Sequence, residues 1–320
     1  MYMVKYVLKR IGLMLLTFSI IMVTCFVLIK LLPIPLGEGL GVDKELVEMN
    51  LRARGYFDPI PVQMWNYVVR IFRDGDFGIG TTMPGYINKP VWDGFVSRLP
   101  PTVLINVYSS LIGVPIGLGL GILAALKKNK WQDQVISTGV IVMIAVPSVV
   151  YAFLIQYVFC FKLGWFPLRM ESGTDYFSWP MFRSMIPAVF SLCFGSIAGY
   201  ARYTRAELTE VLTGEFMLLA RTKGLTHGQA ILRHAMRNAM VPIFPMILGE
   251  FISVLSGSMI IESIFDIPGV GGLYLKAITV LDYDFFMLLS GFYTLIGLAA
   301  GIIIDISYGF IDPRIRMGAK

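Results

Sequence analysis

Apolar residues in this chain neither alternate nor follow a narrow helical stripe; they run in long blocks broken by short polar clusters. A helix needs about 20 such residues to cross the hydrocarbon of a bilayer. Six blocks meet that length: Ile11 to Leu32, Thr102 to Leu126, Gln134 to Phe161, Ser184 to Ala201, Val241 to Ile264 and Phe285 to Phe310. Lys5, Lys9 and Arg10 precede the first block as they would in a signal peptide. Its apolar run is too long for one, however, and no small-residue cleavage site follows, so it reads as a retained anchor. Pro115 and Pro147 interrupt the second and third blocks and predict kinks there.

Between the first two blocks, Gly55-Tyr56-Phe57-Asp58-Pro59 and Gly75-Asp76-Phe77-Gly78 read as turns around a helical pattern from Val62 to Phe72. This predicts a small ordered cap, which either packs over helix ends or meets a partner that delivers substrate. The segment from Phe265 to Asp284 carries Pro268-Gly269-Val270-Gly271-Gly272 and a helical pattern from Leu273 to Val280. Glu262, Asp266, Pro268, Gly269 and Gly271 are its candidate contacts to substrate or to a delivering protein.

Charge orients the spans. With the N-terminus inside, the inner pieces hold Lys5, Lys9, Arg10, Lys127, Lys128, Lys130, Arg202, Arg205, Arg221, Lys223, Arg233, Arg237, Arg314, Arg316 and Lys320, about fifteen cations, against about four in the short outer loops. Both termini are therefore expected in the cytoplasm. Composition agrees: 56% hydrophobic and 15% charged residues, with a mean hydropathy of +0.70, exclude a water-soluble globule and a disordered chain. The net charge of +6 belongs to this inner bias, and no nucleic-acid partner is expected. Cys25, Cys160 and Cys193 each stand alone in apolar runs, which argues against disulfides or a cysteine metal site.

Catalytic chemistry is missing. No G-x-x-x-x-G-K-[ST] phosphate loop occurs. Gly117-Leu-Gly-Leu-Gly121 lies inside a span and suits close helix packing. His227 and His234 have no ligand partners at metal-binding spacing, and no serine sits in a G-x-S-x-G elbow. The chain is expected to be non-enzymatic, with no cofactor of its own.

The polar stretch 202–240 between the fourth and fifth spans is rich in helix formers. Thr204-x-x-Glu207 and Thr226-x-x-Gln229 both match the capping box. Gly214 and Gly224 punctuate it, predicting a short helix from about Glu215 to Lys223, a turn at Gly224-Leu225 and a second helix from about His227 to Ala239. Phe216, Leu219 and Ala220 share one face of the short helix, while Glu215, Arg221 and Lys223 present charge. That apolar face lies either against the membrane interface and the protein's own helix ends or in a groove of a cytoplasmic protein. Beyond Pro242, Glu250 falls roughly 12 Å into the bilayer, where an ionised carboxylate must face protein or water. Glu250, Ser253, Ser256 and Ser258 form either a polar interhelical patch or part of a substrate path.

Ala220-Arg221-Thr222-Lys223-Gly224-Leu225, followed by Arg233-His234-Ala235-Met236-Arg237-Asn238-Ala239-Met240-Val241-Pro242, resembles the EAA loop of binding-protein-dependent ABC importers. The variant is that of the oligopeptide, dipeptide and nickel permeases. Three further stretches agree: Lys162-Leu163-Gly164-Trp165-Phe166-Pro167, Ile261-Glu262-Ser263-Ile264-Phe265-Asp266-Ile267-Pro268-Gly269-Val270-Gly271-Gly272, and Asp312-Pro313-Arg314-Ile315-Arg316. The resemblance covers nearly the whole chain. It departs at the namesake glutamate, whose place holds Leu218.

The resemblance implies an all-α polytopic membrane protein with the ABC type I importer permease fold, six transmembrane helices and a large first extracytoplasmic loop. Its segments are an N-terminal anchor 1–32, the outer cap 33–99, a permease core 100–310 containing the coupling loop 202–240 and the outer loop 262–284, and a cytoplasmic tail 311–320. The implied partners are a second homologous permease subunit forming a heterodimer, two cytoplasmic ABC ATPase subunits that hold ATP and Mg, and an extracytoplasmic substrate-binding protein. Glu215, Phe216, Leu219, Ala220, Arg221, Lys223, Gly224, Leu225, His234, Arg237 and Asn238 become candidates for contact with the ATPases. Peptides are the expected cargo. An importer of nickel or another small solute, and an ion-coupled carrier using Glu250 and Asp305, are the alternatives.

Overall fold

The computed structural model describes residues 2–33 and 44–311, and among these every regular element is a helix. In chain order they are α1 (Tyr2–Lys30), α2 (Lys44–Ala53), α3 (Ile60–Asp74), α4 (Val91–Leu126), α5 (Trp131–Ala145), α6 (Ser148–Ile155), α7 (Trp179–Thr213), α8 (Glu215–Thr222), α9 (His227–Ala230), α10 (Met236–Ser253), α11 (Met259–Ile264), α12 (Val270–Thr279) and α13 (Tyr283–Ile311). Wider π-type turns extend α6 over Gln156–Lys162 and join α9 to α10 over Ile231–Ala235. The motif Asp312 to Arg316 lies outside the described residues.

Among the described residues, four stretches are long and apolar enough to cross a membrane as single helices: Tyr6–Lys30, Val91–Leu126, Trp179–Thr213 and Tyr283–Ser307. The third predicted span differs from a continuous helix. Trp131–Ala145 and Ser148–Lys162 meet at a bend of 97°. Pro147 is the cause, since it forces the preceding residue out of helical conformation, and Val146 is extended with φ −87° and ψ 123°. At Pro115, by contrast, α4 continues without interruption. The fifth predicted span is also divided, ending at Ser253 and resuming at Met259, with Gly257 left-handed at φ +65° in the break. Thr204 does not cap a helix start. It is 1% exposed inside α7, which runs on to Thr213 and absorbs the first third of the expected loop.

The chain forms two compact units. The first comprises Met1–Thr102, Ser256–Met259 and Pro268–Ala299; the second comprises Val103–Leu255, Ile260–Ile267 and Ala300–Lys320.

In the first unit, α3 packs on α1 through a cluster that joins Phe26 and Ile29 to Tyr56, Tyr67 and Tyr283. The Tyr283 hydroxyl donates to the carbonyls of Leu32 (3.1 Å) and Pro33 (3.0 Å), so the start of α13 meets the end of α1. Just before α13, Asp282 Oδ2 accepts the backbone N–H groups of Thr81, Thr82 and Met83 at 2.8–2.9 Å. Asp284 Oδ2 accepts the Ile79 N–H at 3.2 Å, and Arg70 donates to Asp284 Oδ1 at 3.4 Å. Two acids thus tie the cap loop to a helix start, where the peptide dipole also favours negative charge. Burial pushes the phenols of Tyr56 and Tyr67 well up, with Asp284 adding to it, so both rings stay neutral.

In the second unit, α5, α6 and α10 all pack on α7. Gly113, Gly117 and Gly121 recur at one-turn spacing along α4 and meet the same helix. A Cβ on Gly117 would lie 2.9 Å from the Ile197 carbonyl oxygen, and one on Gly121 would lie 2.8 Å from that of Ala201. Gly119 faces open space. Asp133, in the first turn of α5, receives both Nε and Nη2 of Arg205 on α7, the latter at 2.9 Å, together with the Asn129 N–H (2.9 Å) and the Ser137 hydroxyl (3.1 Å). A carboxylate only 4% exposed is tolerated because every side of it is paired.

Gly121→Leu is expected to destabilise the chain by about 1–3 kcal/mol, because backbone carbonyls cannot move aside for the new side chain. Gly119→Leu should leave stability unchanged. Thermal unfolding of both variants in detergent checks the contrast.

Candidate functional site

The polar segment between α7 and α10 forms a closed elbow. Gly214 ends α7 in extended conformation and α8 follows at once. The Lys223 N–H still bonds to the Leu219 carbonyl at 3.2 Å, and Gly224 then turns the chain at φ +82°, a conformation costly for residues with a Cβ. Thr226 and Gln229 close the capping box in both directions, at 3.4 and 3.1 Å. The predicted second helix is present but is not uniform. Its π turn at Ile231–Ala235 places Ile231 and Ala235 inside and Leu232, Arg233 and His234 outside, and it passes into α10 without a break.

Packing decides which face of the elbow remains free. Met217, Ala230, Ile231, Ala235 and Ala239 are buried in one cluster with Leu208 of α7 and Ala125 of α4, and Leu225 packs partly against it. The inward anchor of α8 is therefore Met217. Leu219, which the sequence pattern put on the apolar face, is 55% exposed and Leu232 is 75% exposed. Glu215, Lys223, Gly224, His234, Arg237 and Asn238 are also exposed. The side chains of Phe216, Leu218, Ala220 and Arg221 lie outside the described residues. The result is an exposed surface of two leucines and mostly basic polar side chains, held to α7 from behind.

The carboxylate on α10 is engaged by other helices. Ser196 of α7 donates to Glu250 Oε1 at 2.6 Å and Ser110 of α4 approaches the same oxygen at 3.5 Å. One turn away, the Tyr200 hydroxyl donates to the Met246 carbonyl at 3.1 Å. Ser253 turns its hydroxyl back to the Glu250 carbonyl (2.7 Å). Ser256 and Ser258 lie in the break before α11 and belong to the first unit. The arrangement holds the carboxylate in the last turn of α10 and leaves Glu250 half-buried.

Of the loop residues named from sequence, Glu262 is completely enclosed, while Asp266 is exposed and lies 3.5 Å from Arg169. Pro268 is exposed; Gly269 and Gly271 are buried around the start of α12, where Thr102 Oγ1 accepts the Val270 N–H (2.9 Å). Only Asp266 and Pro268 therefore present side-chain surface. No three His, Cys, Asp or Glu residues group as a metal site needs, among the described residues.

Sequence reasoning missed three features here: Asp133 as the partner of Arg205, the serines around Glu250, and the acids Asp282 and Asp284. The last pair had a usable signal, two carboxylates directly before the final apolar block. Thr226→Ala is expected to cost about 1 kcal/mol at the elbow by opening the capping box, and Thr226→Ser should recover most of it. Amide hydrogen exchange over residues 227–235 reads this directly.

Relatives give this architecture its context. A family model described as "Binding-protein-dependent transport system inner membrane component" matches residues 117–317. The glutathione transport system permease protein GsiC of Salmonella choleraesuis is 31% identical over 319 residues, covering 98% of this chain and 99% of the relative. The dipeptide transport system permease protein DppB of Lactococcus lactis subsp. cremoris is 31% identical over 315 residues, covering 98% and 100%. Among solved structures, the fold is similar to an amino acid ABC transporter (TM-score 0.53, 21% identity, 68% of this chain and 94% of that one). It is also similar to the MetNI methionine ABC transporter in an inward-facing form (TM-score 0.52, 17% identity, 69% and 99%). With its apolar spanning helices, this chain is a multi-pass membrane permease that belongs to the family of inner-membrane components of binding-protein-dependent transport systems.

Proposed function

We propose that this permease forms one half of the translocation pathway of an ATP-driven importer for short peptides. Full-length similarity to a glutathione and a dipeptide permease supports that cargo class. In this reading a second, homologous subunit completes the pathway, two cytoplasmic ABC ATPases hold ATP and Mg, and an extracytoplasmic binding protein delivers the peptide. The chain itself performs no catalysis. The bent α5–α6 pair and the divided α10–α11 segment count as the third and fifth of six crossings, which puts both termini in the cytoplasm. The segments 1–32, 33–99, 100–310 and 311–320 then act as anchor, outer cap, permease core and tail.

The observation that carries the coupling mechanism is the elbow's construction. Moving a two-state pathway from about 1:99 to 99:1 takes roughly 5.5 kcal/mol of differential free energy, which only rigid contacts can transmit. Leu219, Leu232, Lys223, His234, Arg237 and Asn238 present an exposed surface, and Met217, Ala230 and Ala235 bind that surface to α7. With leucine in place of the namesake glutamate, apolar burial supplies more of the docking energy than charge does. Glu250, pinned by Ser196 and Ser110, holds α10 to α7 and α4 beside the path. In this reading the exposed Asp266 and the exposed Pro268 are each candidates to meet the binding protein.

Reconstituted with its partners in vesicles, the complex should accumulate labelled dipeptides or tripeptides only when ATP is supplied inside the ATPase compartment. Accumulation by this chain alone, driven by an ion gradient, sinks the proposal; ATP-driven uptake of nickel but not peptides sinks the cargo assignment. Gly224→Val should leave membrane insertion intact and ATPase activity measurable while reducing uptake at least tenfold, because a β-branched residue cannot hold the left-handed turn. Gly224→Asn, which tolerates that turn, should retain most of the uptake.

A further inference from the structure

We propose that α3 is an interfacial helix, seated in the lipid headgroup region at the Lys30 end of α1. Its wheel carries two apolar faces. One, built on Met64, Tyr67 and Ile71, packs into the first unit. The other is open: Val62 is 44% exposed, Trp65 69%, Val68 40% and Phe72 87%. Those four recur at three- or four-residue spacing, so they form one continuous strip. The polar side chains Gln63, Asn66 and Arg70 occupy the arc between the faces and line a small cavity with Lys30 and Asp284.

The depth of α3 says what covers that strip. Two spans mark the membrane boundary, and their ends coincide: Lys30 Nζ, closing α1, lies 4.4 Å from the centre of the Tyr283 ring that opens α13. Tyr67 meets Phe26, ring centres 5.8 Å apart, roughly 6 Å before the end of α1 at about 1.5 Å per residue. The same cluster reaches Met22, about 12 Å before that end. α3 therefore lies beside the span ends, not above them. A face turned away from α1 at that depth looks into the outer part of the lipid. Aromatic residues concentrate at this level, and amphipathic helices bury apolar faces about 5–10 Å into the same zone. α1 itself is covered only sparsely by protein, with Leu28 and Leu31 59% and 68% exposed, so the lipid-facing surface is continuous from α1 to α3.

The test places a photoreactive benzophenone amino acid at Phe72, at Trp65 or at Asn66 in the full chain, assembled in its native membrane. After illumination, lipid adducts at positions 72 and 65 should exceed those at 66 several-fold. Cross-links from 72 and 65 to another transporter subunit or to the binding protein overturn the proposal, as do equal lipid yields at all three positions. A second measurement needs no unnatural residue. Trp65 is one of five tryptophans, so Trp65→Phe should reduce the fluorescence that shallow brominated lipids quench in vesicles. Unchanged quenched intensity also overturns it.

Discussion

Close approach of α4 to α7 is the constraint on which the second unit depends. Helices in lipid gain nothing from leaving water, so their association rests on packing and on polar contacts between them. Gly113, Gly117 and Gly121 remove side chains along one line of α4, and the carbonyls of α7 occupy the space. With that seam closed, Ser110 and Ser196 come to Glu250 from two helices, and α5, α6 and α10 find α7 as a common wall. Arg205 adds a charge-assisted double contact to Asp133, where α5 begins. The elbow then rests on the far end of the same wall through Leu208. The elbow thus rests on the helix against which α5, α6 and α10 also pack.

The first unit follows a different rule, because the chain between α1 and α4 carries many polar and charged side chains. Apolar burial stabilises its cap, and buried acids specify its register. Asp282 gathers three backbone donors from one turn of the cap loop, which otherwise would be buried without partners. Lys30 is enclosed by neutral rings, 3.8 Å from the centre of Tyr56 and 4.4 Å from that of Tyr283, so a cation at the end of a span finds aromatic faces. These groups are costly to bury singly and acceptable together.

The proposed division of labour fits these two patterns. In that reading a permease without a phosphate loop receives free energy through contact, and the exposed elbow offers the surface for it. Gly224 and the Thr226–Gln229 box set the angle between α8 and α9 by local backbone chemistry. Met217 then sets how deeply that angle seats against α7. Local and tertiary terms agree at this site, as the proposed coupling role requires.

Much of this was legible from sequence because it is governed by local rules. Long apolar blocks announce spans, Pro147 announces a break, and Thr226-x-x-Gln229 announces a helix start; each depends on a few adjacent residues and on the solvent. Thr204-x-x-Glu207 satisfies the same capping rule and fails, because the apolar surface around Leu208 keeps α7 helical past it. The pattern on α8 likewise put Phe216, Leu219 and Ala220 on one face and left open what covers it. Tertiary packing turned Met217 inward and left Leu219 exposed, since a short helix with apolar residues on several sides is oriented by what lies behind it. The pairing of Asp133 with Arg205, of Glu250 with Ser196, and of Asp282 with the cap loop joins residues far apart in the chain, and no periodicity encodes such a meeting. By itself, then, the sequence determined which stretches are helical and where Pro147 and Gly224 interrupt them. Which of their faces close on one another was decided only when the whole chain was packed, because that choice minimises a sum over distant contacts.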